Sequence, residues 1–287
     1  MKVRRSSSSS SASTSSPKGV VVLLHGLESS VEGALITKMA HCYSSKGYEV
    51  VLKSFRGCSE GEDNRKLGAY HLGFTDDLRT LVERLHEEDS ARRIFLSGFS
   101  LGGNVILKYL GEQGEKALQL GVSGAVVTCV PFDPASCQVK LDLNTFNRGI
   151  YIENFLSSLK RKAEAKNLRF PGVLDMDKLR AARTIGEFDE YFIARAFGFK
   201  DKLDYYEKCG SKRFLSSIAV PTIAINARDD PFVMEEHLPT YEDDVGAAPV
   251  RLIYKSKGGH CGFLSSGPEG NYWLPNEMAR ALDHISR

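Results

Sequence analysis

The sequence predicts an α/β fold, a mostly parallel central sheet flanked by helices and carrying a helical insertion. Three observations predict it: short apolar runs alternate with amphipathic stretches, the alternation breaks once, and a glycine-flanked serine sits between one run and the stretch that follows it. The expected strands are Gly19 to Leu24, Glu49 to Ser54, Arg93 to Ser97, Ser123 to Val130, Pro221 to Asn226 and Val250 to Tyr254. These runs are short and continuously apolar, as strands covered on both faces must be. Helices are expected at Val31 to Ser45, Thr75 to Glu88, Leu101 to Glu112 and Pro275 to Ser286. The last two have apolar residues near helical spacing.

Between Pro131 and Ser217 no comparable strand is found. Ile152, Phe155, Leu156 and Leu159 instead mark an amphipathic helix followed by Lys160, Arg161 and Lys162. This stretch, about 131–217, is expected to be a helical cap over the sheet. Its basic cluster offers a peripheral contact with an anionic membrane surface, the commoner alternative being a cap helix packed on its own domain.

Residues 1–17 have Lys2, Arg4 and Arg5 ahead of a serine tract with no acidic residue. That composition cannot offset the entropy of folding and is expected to be disordered. It fits either a linker or trimmed terminus, or the remnant of an organelle transit peptide. The folded domain is therefore 18–287. With 42% apolar residues it can bury one large core.

The 38 basic and 36 acidic side chains leave a net charge of +2, too little for the field that would recruit nucleic acid. That balance points to a small or neutral substrate, and the chain is expected to be a monomer. Six cysteines, Cys42, Cys58, Cys129, Cys137, Cys209 and Cys261, lie far apart with no CxxC or zinc-like spacing. They suggest a reducing compartment, and the expected location is cytoplasmic, with organelle targeting the alternative. The longest apolar stretch, Val20 to Leu24, is far short of the roughly 20 residues that cross a bilayer.

The chemistry centres on Gly98, Phe99, Ser100, Leu101 and Gly102, a GxSxG sequence. Ile94, Phe95 and Leu96 precede it as a strand, and Val105, Ile106, Tyr109 and Leu110 follow at helical spacing. A strand, a tight turn and a helix are what a nucleophile elbow requires, with glycines where side chains would collide with the neighbouring strand and helix. Ser100 is the expected nucleophile.

A serine hydroxyl needs a base. His260, in a glycine-rich loop after the last strand, is the expected one, whereas His41 and His86 lie within expected helices and His284 near the chain end. Asp229 and Asp230 follow the strand ending at Asn226, and one of them should orient the histidine. Asp229 is preferred, since adjacent side chains on an extended segment point opposite ways and only one can face the histidine. The order Ser, Asp, His is that of the fold whose serine stands on such an elbow. The oxyanion donors expected are the backbone amides of Leu101 and, from the His25-Gly26-Leu27 loop, of Leu27. His25 is expected to brace that loop.

HGLESS at His25 to Ser30, FRGCSE at Phe55 to Glu60, GFSLGGN at Gly98 to Asn104, NARDDPF at Asn226 to Phe232 and GGHCGF at Gly258 to Phe263 resemble successive blocks of the YheT-like and ABHD-type α/β-hydrolases, a group that includes plant embryogenesis-associated relatives. Gly186 to Asp189 and Asp204 to Tyr206 are similar to short signatures of the same group. The resemblance runs from about Pro17 to the C-terminus. It implies the α/β-hydrolase fold and a carboxylesterase or acylglycerol-lipase activity on a small-molecule ester or lipid substrate, with Ser100, Asp229 and His260 as triad.

The chain departs from the group in two places. Only the serine-rich segment precedes the HG block, which implies a sheet lacking its first edge strands. Cys58 and Ser59 are followed by Glu60, with Gly61 one place later than the group's pattern. Arg56 and Cys58 are given no catalytic role. No metal or organic cofactor is expected. Thioester hydrolysis or acyl transfer on the same triad, or noncatalytic ligand binding, are the alternatives.

Overall fold

A computed structural model describes residues 3–6, 16–59, 64–143 and 147–287. The serine tract at 7–15, Glu60 and Gly61 lie outside the described residues. Among the described residues seven strands form one sheet in the order β1-β3-β2-β4-β5-β6-β7: β1 (Val3–Ser6), β2 (Val20–Leu24), β3 (Glu49–Lys53), β4 (Ile94–Phe99), β5 (Val122–Thr128), β6 (Thr222–Ala227) and β7 (Val250–Lys255). From β2 onward neighbouring strands run parallel. β1 is antiparallel to β3, so part of the segment expected to be disordered is an edge strand, and the sheet has an edge strand before the HG block. Edge pairing uses backbone groups that every residue carries, which is why a composition argument does not find it.

The described helices are α1 (Ala34–Ser45), α2 (Asp76–Glu88), α3 (Leu101–Gln113), α4 (Glu115–Gln119), α5 (Pro134–Leu143), α6 (Glu153–Arg169), α7 (Met176–Ala181), α8 (Ile185–Phe188), α9 (Ala194–Phe197), α10 (Lys202–Cys209) and α11 (Trp273–Ile285). Alternate strand residues feed two cores. Val20, Val22 and Leu24 face α2 and α3, whereas Val21 and Leu23 face α1 and α11. Every residue of β2 is fully buried, and each such aliphatic side chain contributes about 1.5–3 kcal/mol.

Strand order places the site. β3 lies on one side of β2 and β4 on the other, so the chain reverses its winding between β2 and β4. Loops leaving the carboxyl ends of strands at such a reversal diverge and open a crevice. The register pairs Leu24 with Gly98, which sets the His25 loop against Ser100.

The stretch between β5 and β6 is helical, α5 to α10, and buries a core of its own that includes Leu156, Leu179, Phe188, Phe192 and Tyr205. In α6 the basic cluster divides. Lys160 reaches the Arg180 carbonyl, while Lys162 turns inward to Glu28. No helix among the described residues is long and apolar enough to cross a membrane.

Candidate active site

β4 ends at Phe99 and α3 begins at Leu101, leaving Ser100 at φ 54° and ψ −125°. A non-glycine residue there costs about 1–3 kcal/mol and persists only where its surroundings hold it. Ser100 N donates to the Thr128 carbonyl at 2.9 Å, and Asn104 N donates to the Ser100 carbonyl at 3.1 Å. Gly102 is required by space, since a Cβ there would stand 2.5 Å from the His25 carbonyl oxygen and 2.7 Å from that of Leu24. The turn thereby lifts the Ser100 hydroxyl above the sheet at the positive end of α3.

His260 follows β7 in a loop that Gly259 turns at φ 56°. Its Nε2 lies 3.0 Å from Ser100 Oγ. Its Nδ1 lies 2.8 Å and 3.1 Å from the two carboxylate oxygens of Asp230, which is fully buried. The Phe232 ring stacks on the imidazole at 4.0 Å between centroids. Burial disfavours the charged imidazole, but the Asp230 charge and hydrogen bond outweigh it, so the histidine is held above its ordinary pKa.

Asp230, rather than the expected Asp229, faces His260. The expectation assumed an extended segment, whereas β6 stops at Ala227 and the chain turns at once, with Asp230 N donating to the Ala227 carbonyl at 3.3 Å. Alternation does not apply in a turn. Asp229 instead accepts the amides of Gly258 and Gly259, both at 2.8 Å, and so ties down the loop that carries the histidine. Asp230 also accepts the Phe232 amide at 2.8 Å.

The His25 loop packs on the elbow, and a Cβ on Gly26 would lie 3.2 Å from Ser100 Cβ. His25 is fully buried, accepts the Phe55 amide at Nε2 at 3.1 Å and donates from Nδ1 to the Gly26 carbonyl at 2.8 Å. Burial lowers its pKa to about 4, so it stays neutral and braces the loop. Among the described residues the amides of Leu27 and Leu101 donate to no protein acceptor, and both residues line the crevice beside Ser100.

Sequence reasoning missed a clamp on this loop. Glu28 sits at φ 53°, its amide donates to the Tyr70 hydroxyl at 3.0 Å, and its carboxylate receives that hydroxyl at 2.8 Å and the Lys162 ammonium at 2.7 Å. The Glu28 side chain is only 7% exposed. The one sequence signal was an acid inside the HGLESS block. Cys58 lies 3.4 Å from the same ammonium, and burial pushes its thiol up, away from nucleophilic character. Arg56 is engaged elsewhere, bonded to Asp77 by its Nε at 3.0 Å.

Above Ser100 and His260 opens a cavity of about 520 Å³, roofed by the helices between β5 and β6, with Leu141, Phe155, Leu159, Phe188 and Phe192 on its walls. Among the described residues one group has metal-ligating atoms close together: those of Cys129, Asp230 and His260 lie within 4.8 Å of one another. In it the carboxylate and imidazole are already bonded to each other.

Residues 19–266 match the model of a family described as the alpha/beta hydrolase fold. The chain is 34% identical over 248 residues to YheT of Escherichia coli (strain K12), a protein named provisionally as an esterase, covering 85% of this chain and 70% of that one. It is 30% identical over 252 residues to phospholipase ABHD3 of Mus musculus, covering 87% of this chain and 59% of that one, so it spans less than two thirds of the latter's length. The solved structure of the Pyrococcus furiosus esterase Pf2001 superposes with a TM-score of 0.60 at 19% identity, over 93% of this chain and 81% of that one, which is a likeness of fold. The chain belongs to the α/β-hydrolase family, in its YheT-like, ABHD-type group.

Proposed function

We propose that this chain is a serine hydrolase of carboxylic esters that takes substrates with an apolar acyl chain. The observation that carries the reading is the continuous relay on the elbow, Ser100 Oγ to His260 Nε2 at 3.0 Å and His260 Nδ1 to Asp230 at 2.8 Å. Ser100 attacks the ester carbonyl while Nε2 takes the hydroxyl proton. Asp230 holds the proton on Nδ1, which keeps Nε2 free to accept, and stabilises the imidazolium. The oxyanion is received by the amides of Leu27 and Leu101. His260 then returns its proton to the leaving alcohol, and water, activated by the same nitrogen, releases the acid.

The cavity supports the substrate class. Its volume of about 520 Å³ lies within the range of small-molecule sites, and its aliphatic and aromatic walls favour an acyl chain over a charged group. Each methylene buried there contributes about 0.8 kcal/mol, or roughly fourfold in kcat/KM. The test is p-nitrophenyl ester hydrolysis across acyl lengths, with Ser100→Ala as control. A rise of roughly fourfold per methylene up to a plateau supports the reading; hydrolysis that ignores chain length, or persists in the control, overturns it.

A further inference from the structure

Two cysteines meet beside the histidine. Cys129 follows β5 at φ 53°, and Cys261 follows His260 at φ 66°. Cys129 is fully buried, while Cys261 is part-exposed and lines the cavity with Ser100 and His260. The Cys261 amide donates to Cys129 Sγ at 3.2 Å, which sets the two cysteines side by side. That amide contact limits the Cα–Cα separation to about 7 Å, the outer edge of what a disulfide spans.

The pair differs from the other cysteines. Burial pushes the thiols of Cys42, Cys58, Cys137 and Cys209 up. Burial raises that of Cys129 too, but the neighbouring Cys261 side chain and the field of His260 outweigh it and the balance falls below the ordinary thiol value, despite the opposing charge of Asp230. The neighbouring Cys129 side chain, with burial adding to it, pushes the Cys261 thiol well above its ordinary value. The first proton to leave the pair is therefore that of Cys129, and its neighbour Cys261 lines the cavity.

We propose that Cys129 and Cys261 form a dithiol modification site, oxidised to a disulfide by a hydroperoxide that enters the active-site cavity. Once Cys129 has released its proton, Cys261 passes its own to the Cys129 sulfur and attacks the peroxide, the O–O bond breaking to leave a sulfenic acid on Cys261; the departing hydroxide takes up the proton first released and leaves as water. The Cys129 sulfur displaces the sulfenic hydroxyl, the S–O bond breaks, the S–S bond forms, and a second water leaves. The two thiols lose two hydrogens and two electrons, and hydrogen peroxide is reduced to two waters. Closing the sulfurs to about 2.05 Å shifts Cys261, and with it the adjoining His260, out of the geometry that holds Nε2 3.0 Å from Ser100 Oγ. The disulfide stands apart from the ester-hydrolase reading; only the loss of activity rests on it.

The experiment treats the reduced full chain with hydrogen peroxide and maps nonreduced tryptic peptides by mass, alongside ester hydrolysis, for the parent, Cys129→Ser and Cys261→Ser. The expected result is a Cys129–Cys261 linked peptide in the parent, appearing in step with loss of hydrolysis and reversed by dithiothreitol. Neither variant gives that peptide, and Cys261→Ser keeps its own starting activity through the treatment. Absence of the linked peptide in the parent, or inactivation of Cys261→Ser at the parent's rate, overturns the proposal. If the reduced parent hydrolyses no ester, the proposed function fails while the peptide map still decides the disulfide.

Discussion

Replacing each of the two adjacent aspartates separates their roles. Asp230 is fully buried and holds Nδ1 of His260 at 2.8 Å, so Asp230→Asn keeps the shape but lets the imidazole carry its proton on Nε2, where it can no longer accept from Ser100. The expected loss in kcat is about ten-thousandfold, or about 5.4 kcal/mol of transition-state stabilisation. Asp229 touches no reacting group. It accepts two amides of the histidine loop at 2.8 Å from a carboxylate that is 34% exposed, so Asp229→Ala loosens that loop. Charge-assisted bonds of this kind contribute about 1.5–3 kcal/mol each when buried; at this exposure the pair is worth about 2 kcal/mol, or roughly thirtyfold in kcat/KM. Steady-state hydrolysis of a p-nitrophenyl ester, with thermal unfolding of each variant, reads both. Equal losses, or a larger loss in Asp229→Ala, refute the assignment of Asp230 to the relay.

Gly102→Ala places a methyl 2.5 Å from the His25 carbonyl oxygen and distorts both the elbow and the His25 loop; thermal unfolding should show a destabilisation of about 1–3 kcal/mol with labelling of Ser100 suppressed. Because the pKa of His260 is raised, the acid limb of kcat/KM should have its midpoint above about 6.5, activity falling as pH drops through it, and a midpoint below that value contradicts the pairing with Asp230. The stability contribution of the same pair has the opposite sign, being fully present below about pH 6.5 and lost as pH rises through the folded pKa, which thermal unfolding against pH reads directly. Lys162→Met removes the ammonium that holds Glu28 at 2.7 Å and should lower kcat about fivefold with KM little changed, since the oxyanion role proposed for the adjoining loop is played in the transition state; Lys162→Arg should restore most of it. A change confined to KM counts against the clamp.

The parallel strands were legible because strands buried on both faces are continuous apolar runs, and their ends fall within two residues of expectation, as at Glu49–Lys53 and Thr222–Ala227. The elbow was legible for a related reason: its glycines are imposed by close backbone approach, which leaves a mark in sequence. Other features leave none. Val3–Ser6 joins the sheet edge through backbone groups, and α4 is too short to show a period. The choice between Asp229 and Asp230 hung on where β6 stops, and strand ends are the least certain part of a pattern-based reading. The Glu28–Lys162 contact links residues 134 apart and depends on how the helical layer seats on the sheet, which local pattern does not encode.

Active-site labelling tests the central claim most directly. A fluorophosphonate probe should form a covalent adduct that peptide mass mapping places on Ser100, and the adduct should vanish in Ser100→Ala while that variant unfolds at the parent's temperature. Labelling of Ser100→Ala to the same extent, or an adduct on another residue, would contradict the assignment of Ser100 as nucleophile.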